Sequence, residues 1–147
     1  MIRMIFSIVD FEPRTLAFAN DLDEAAANKK LDLFLASKGI VSGHRFQNEI
    51  VMKKNGLRMA IHLRYASVPA GTVKAGDVAV VEMTAGIAVL FSVPQDGYAT
   101  WTDGGFLPMI DAFLKANGLG WDLSKVVALA ERRADGDYDV LLPVKRK

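Results

Sequence analysis

Hydrophobic and polar positions follow short periods through most of this chain. From Leu57 to Tyr65 the apolar Leu57, Met59, Ile61, Leu63 and Tyr65 alternate with Arg58, Ala60, His62 and Arg64, which predicts a strand with one buried and one polar face. Phe46 to Lys53 reads as the strand before it, and Asn55-Gly56 between them is the sequence of a two-residue hairpin turn. Met4 to Val9 and Arg14 to Ala19 read as strand, broken or bulged around Glu12-Pro13, because proline cannot donate to a ladder. Helical spacing replaces alternation at Leu31, Phe34 and Leu35, and again at Ile110, Phe113 and Leu114, each set standing at i, i+3 and i+4. The first helix starts at the acidic cap Asp21-Leu22-Asp23-Glu24 and runs to Lys38; the second covers Phe106 to Asn117 with Pro108 in its first turn. Val78 to Met83, Ile87 to Val93, Val126 to Arg132 and Tyr138 to Val144 complete the strands, the last two joined by a turn at Asp135-Gly136. Gln95 to Gly105 is a glycine-rich connection holding Tyr98 and Trp101.

The two helical stretches are related. LDLFLASKGI from Leu31 and IDAFLKANGL from Ile110 share Asp32, Phe34, Leu35 and Gly39 with Asp111, Phe113, Leu114 and Gly118, at a constant offset of 79 (110 minus 31). Gly39 and Gly118 stand where a helix end enters the left-handed region that glycine adopts at little cost. The flanks repeat as well, since each helix precedes a hairpin with an Xaa-Gly tip. We therefore expect an α+β fold made of two βαββ repeats with pseudo-twofold symmetry, residues 1–65 and 77–147, with 66–76 as linker, forming a single domain over 1–147. Each repeat has one helix to cover one sheet face, so an antiparallel sheet with two helices on one side and a ligand groove on the other is the expected architecture.

Composition narrows the function classes. The chain is 51% hydrophobic with a mean hydropathy of +0.19, enough for a substantial core or a greasy cleft. Its 18 Lys and Arg against 17 Asp and Glu give no overall electrostatic reason to bind nucleic acid or an anionic membrane. Having no cysteine excludes disulfides, thiolate metal sites and a cysteine nucleophile. Asp10, Glu12, Pro13 and Arg14 interrupt any signal-peptide core, and the longest nearly apolar run, Ala85 to Val93, is far below a membrane span, so a cytoplasmic protein is expected. No phosphate loop, dinucleotide fingerprint, nucleophile elbow or zinc motif occurs, and no metal or cofactor is expected.

The doubled strand-helix-hairpin order, Gly97-Tyr98 after the strand Ile87 to Val93, the helix end from Phe113-Leu114 to Gly118-Leu119, the acid Glu131 and the closing Val140-Leu141-Leu142-Pro143-Val144 together resemble the GyrI-like effector-binding domain, with the duplicated βαββ fold shared by SOUL and GyrI proteins. The resemblance spans essentially the whole chain. Gln95-Asp96-Gly97-Tyr98 stands where members often carry a His-x-Gly-Pro-Tyr type turn, and Arg132-Arg133 follows Glu131 where an acid is often followed closely by tyrosine. The family implies binding or sensing of hydrophobic, flat, often cationic organic molecules between the repeats, through a carboxylate and aromatic side chains. It also implies two alternatives: a hydrolase of a reactive or strained compound, and a protein-interaction module of the gyrase-inhibitor kind. The two repeats take up the 147 residues, so a regulatory role requires a separate partner chain to contact DNA.

Glu131, Trp101, Tyr98, Phe91 and Glu82 are the candidate ligand-binding residues. Val127, Leu129 and Glu131 share one strand face, and a carboxylate ending an apolar row is costly to bury without a partner, a role a lipophilic cation fills. The plainer reading of Glu131 is an exposed strand end paired with Arg133 or a neighbour. Phe91, Tyr98 and Trp101 lie on or beside the second long connection, where aromatic faces stack on a planar ligand or simply fill the core. Glu82 interrupts an apolar strand. No residue is assigned to catalysis in the leading reading; in the hydrolase reading Glu131 activates water. Glu49 reads as a surface pair with Lys53, Lys54 or Arg58, and His62 as a polar-face residue between Arg58 and Arg64.

Overall fold

The computed structural model describes residues 4–41, 43–124 and 126–147. The chain forms two compact units, a contiguous one (Pro13–Met83) and a split one (Met1–Glu12 with Thr84–Lys147). Every strand pairing within them is antiparallel, and helices are segregated to one face of each sheet, so the fold is α+β.

The contiguous unit runs through strand β2 (Arg14–Asp21), helix α1 (Glu24–Ser37), the hairpin β3 (Arg45–Lys54) and β4 (Leu57–Ser67), and strand β5 (Ala79–Met83). Its strand order is β3-β4-β2-β5. Asn55 and Gly56 turn the hairpin with φ of 54° and 77°, both in the left-handed region that a two-residue loop between twisted strands requires. Helix α1 begins at Asp23, whose carboxylate accepts from Ala25 N at 3.2 Å. Asp21, which the sequence offered as the opening of the cap, acts one step earlier: its Oδ1 accepts from Asp23 N at 2.9 Å and its Oδ2 meets Lys30 Nζ at 2.9 Å. The Asp23 amide and the Lys30 ammonium hold the Asp21 carboxyl below its ordinary pKa. Leu31, Phe34 and Leu35 of α1 pack on Ala17 and Ala19 of β2 and Ala66 of β4, with Val68 and Val78 at the margin. Small alanines on the strands let the helix lie close, and the large side chains come from the helix.

The split unit takes β1 (Ser7–Phe11), β6 (Gly86–Val93), the short helix α2 (Tyr98–Thr102), helix α3 (Leu107–Ala116), β7 (Leu119–Trp121), β8 (Leu129–Arg132) and β9 (Tyr138–Arg146). Its strand order is β8-β9-β6-β1, with β7 also on β9. The predicted second helix is shorter than expected and preceded by α2, and Pro108 lies in its first turn, where its missing N–H is no loss. Here the sheet supplies the bulk: Val89, Phe91 and Val93 of β6 and Val140, Leu142 and Val144 of β9 meet Trp101, Phe106, Ile110 and Leu114.

Of the two expectations at Glu12-Pro13, a break or a bulge, the structure has the break: β1 pairs with β6 from Ser7↔Leu90 to Phe11↔Gly86, while β2 pairs with β4 and β5. Proline at the break removes a donor where the chain leaves one unit for the other.

Candidate functional site

Cross-strand register divides the contiguous sheet into two faces. Phe18↔Tyr65, Phe46↔Tyr65, Asn48↔Leu63, Ile50↔Ile61 and Met52↔Met59 point away from α1, whereas Ala17↔Ala66 and Ala19↔Arg64 point toward it. The helix-free face carries an apolar band, interrupted by Asn20 and Asn48 on either side of Leu63. At its inner end Phe18 and Tyr65 stack with ring centroids 4.9 Å apart, and the Arg14 guanidinium lies 5.2 Å from the Phe46 centroid. Burial pushes the Tyr65 phenol up to about 12, so it is neutral across the physiological range. Toward the hairpin tip the band opens: Ile50, Met52, Leu57 and Met59 are between 41% and 69% exposed. The alternation of β4 therefore leads to burial only near Tyr65. Leu57 and Met59, expected in the core, are on the surface, and Arg64, expected on the polar side, is buried.

Arg64 is buried because it is fully used. Its side chain, 6% exposed, reaches Glu49 Oε2 at 2.9 Å, Glu24 Oε1 at 3.1 Å and the Leu63 carbonyl at 2.9 Å. Glu49, 8% exposed at its side chain, also meets His62 Nδ1 at 2.5 Å. This corrects the reading of Glu49 as a surface pair: it joins β3 and β4 beneath the first turn of α1, with two partners from β4. Sequence could have found the pair, since Glu49 and His62 are directly opposite in the register that Asn55-Gly56 sets.

In the split unit the predicted residues part company. Phe91 and Trp101 pack edge to face at 5.5 Å within the helix-side core, and Phe6 packs on Phe91 at 5.4 Å and on Phe113 at 5.1 Å. Trp101 Nε1 is buried without a hydrogen-bond partner among the described residues. Tyr98 lies at the edge of the same core, 4.4 Å from Tyr138. Glu131 is on the other face, in register with Asp139 and half-buried. Arg133 bonds to Asp135, Asp137, Asp139 and Ser92 Oγ, an assembly that holds the Asp135 carboxyl below its ordinary pKa. Glu82, opposite Thr15, is exposed on the helix side of the contiguous sheet. The structure thus does not gather Glu131, Trp101, Tyr98, Phe91 and Glu82 on one face of one sheet.

Two cavities open on the helix sides. One of about 340 Å³ lies between α1 and residues 75–78, and one of about 390 Å³ lies beside Trp121, whose Nε1 donates to Asp111 at 3.1 Å. Neither takes in any of the five predicted residues. No three His, Asp or Glu side chains converge as a metal set among the described residues, and no helix there is long and apolar enough to cross a membrane.

No family model and no curated protein matches the chain. Solved structures do. The EcmrR C-terminal domain superposes with a TM-score of 0.59 at 11% identity, covering 99% of this chain and 100% of that domain. EcmrR in its complex with DNA gives 0.62 at 11%, and there the chain spans 58% of the other protein's length. A hydrolase from Listeria innocua gives 0.64 at 11%, covering 95% of this chain and 91% of that one. An integron cassette protein from Vibrio cholerae gives 0.52 at 9% over 95% of both. At such identities the likeness is one of fold, and it is the α+β architecture of the EcmrR C-terminal domain and the Listeria protein that this chain adopts.

Proposed function

We propose that the chain is a GyrI-like binding module, built from two copies of one βαββ unit, which takes up flat hydrophobic small molecules on the helix-free side of its sheets. The observation that carries this reading is the band of apolar side chains on β2, β3 and β4, which runs from Phe18 and Tyr65 outward to Met52 and Met59 and becomes progressively exposed. Exposed methionines at such a surface suit ligands of varied shape, because the thioether side chain is unbranched and repacks readily. The duplication is supported by matching strand orders, β3-β4-β2-β5 against β8-β9-β6-β1, and by Gly39 and Gly118, each with φ of 65° after its helix. The fold shared with the EcmrR C-terminal domain agrees with an effector-binding role. A neutral flat probe, N-phenyl-1-naphthylamine, is expected to bind with stoichiometric uptake and to lose about tenfold in affinity in Ile61→Ser, since that change removes about 1.5 kcal/mol of apolar contact. Unchanged affinity would move the site elsewhere.

The fold likeness to a Listeria innocua protein named a hydrolase supports a second reading, in which Glu131 activates water against a reactive substrate. It requires turnover; uptake of one equivalent with no product released rejects it.

A further inference from the structure

The four strands of the contiguous sheet sort their charges by face. Their three acids, Asp21, Glu49 and Glu82, all belong to the helix side: Asp21 and Glu49 both stand opposite His62, and Glu82 stands opposite Thr15. On the helix-free face the ionisable residues are Arg14, at the inner end opposite Met83, Lys54, at the hairpin tip opposite Leu57, and Tyr65. Tyr65 adds no negative charge, since burial holds its proton to about pH 12. The Arg14 guanidinium rests over the Phe46 ring, and no carboxylate pairs with it among the described residues. Among the strands of this unit, a cationic ligand on this band would meet charge of its own sign and no carboxylate to offset its lost hydration.

We infer that the ligand of this face is flat, apolar and negatively charged, an aromatic or amphiphilic carboxylate or sulfonate whose acid group is met by Arg14 or Lys54. This rests on the binding reading above and specifies it: the band supplies the apolar contact, and the charges at its ends select the sign of the head group. Arginine over an aromatic ring already presents its donors in the plane that a carboxylate matches with two parallel hydrogen bonds. Lys54 acts as a point charge at the open end.

The test uses three probes that share one ring system and differ only in head group: 4-(1-pyrenyl)butyrate, 4-(1-pyrenyl)butanol and (4-(1-pyrenyl)butyl)trimethylammonium. They are titrated by fluorescence anisotropy at low ionic strength against the full chain carrying Glu131→Gln, which silences the half-buried carboxylate of the split unit. The butyrate is expected to bind about fivefold more tightly than the alcohol, the ammonium more weakly than the alcohol, and the order to flatten as salt screens the charges. Arg14→Gln, Lys54→Gln and the double variant are expected to reduce the butyrate's advantage, the double variant to nothing. An ammonium that binds as tightly as the butyrate, or a butyrate preference that survives the double variant, overturns the inference and leaves the binding reading standing. Failure of all three pyrenes to bind overturns both. Far-ultraviolet circular dichroism of each variant separates lost binding from lost fold, and Lys54, at an exposed tip, provides the variant least coupled to folding.

Discussion

Replacing Arg64 by alanine removes the guanidinium that ties the buried Glu49 to the helix start, and leaves the His62 ring among the partners of Glu49. In the intact chain Arg64 and Glu49 are 6% and 8% exposed, 2.9 Å apart, and Arg64 also satisfies the Leu63 carbonyl. Two buried charges in contact are worth little more than two apolar side chains of the same size, because each gave up its hydration to be there. Removing only one is different, since Glu49 keeps its desolvation penalty with one charged partner fewer; a broken buried pair costs about 3–5 kcal/mol, and because the His62 ring stays at 2.5 Å the low end of that range, about 3 kcal/mol, is expected. The contact with Glu24 adds little: that carboxylate is 60% exposed, and an ion pair so open to water contributes about 0–1 kcal/mol. Urea denaturation followed by circular dichroism measures the outcome. With a slope of about 2 kcal/mol per molar urea, the midpoint should fall by about 1.5 M in Arg64→Ala and by under about 0.5 M in Glu24→Ala. A midpoint in Arg64→Ala within 0.5 M of the parent, at unchanged slope, would refute the argument, because it would mean that the remaining partners of Glu49 hold it without the guanidinium. Glu49→Gln in the Arg64→Ala background should recover part of the loss, since it removes a buried charge that no longer has its guanidinium.

Other consequences are simpler to measure. The phenol of Tyr65 titrates near 12 when folded against about 10 when unfolded, so between these values the unfolded chain has given up a proton that the folded one retains. Stability should therefore be complete below about pH 10 and decline by about 2–3 kcal/mol toward pH 12, and Tyr65→Phe should flatten that decline in alkaline urea titrations. Gly39→Ala and Gly118→Ala place a Cβ at φ of 65° with nothing within 4 Å to clash, so each should lower stability through backbone strain alone, by about 1–2 kcal/mol, read as a fall of several degrees in thermal midpoint. Asp23→Ala should cost about 1 kcal/mol by leaving the Ala25 amide without its cap, and Asp23→Asn should restore most of it. If the split unit holds lipophilic cations through its carboxylate, rhodamine affinity should drop severalfold in Glu131→Gln, and equal binding by parent and variant would remove Glu131 from the site.

Local chemistry was the legible part of this chain. Asn55-Gly56 admits hardly any conformation but a tight hairpin, and Gly39 and Gly118 announce helix ends, because in each case the deciding interaction lies within a few residues. The face a side chain takes was less legible. The run Ile87 to Val93 is apolar on both sides, so periodicity could not say whether Phe91 looks toward the helices or away, and it is the packing of Trp101 and Phe6 on it that decides. Arg64 was misread for a related reason: alternation separates two faces but is silent on what covers each, and the first turn of α1 with Glu49 makes the polar side of β4 the buried one. Strand partners separated by most of the chain, such as β1 and β6, leave no local signature at all.

That pairing of Ser7–Phe11 with Gly86–Leu90 has a consequence for synthesis. As the polypeptide emerges from a ribosome, β1 appears first and its neighbour follows only after more than half the chain, whereas Pro13–Met83 carries every strand of its own unit by the time Met83 is out. A nascent chain at that point has one unit ready to close and one strand waiting, with Val9 and Phe11 in need of cover. The loop that β1 must finally close is long, and because closure entropy grows only slowly with loop length, the delay burdens the rate of folding far more than the stability of the finished molecule.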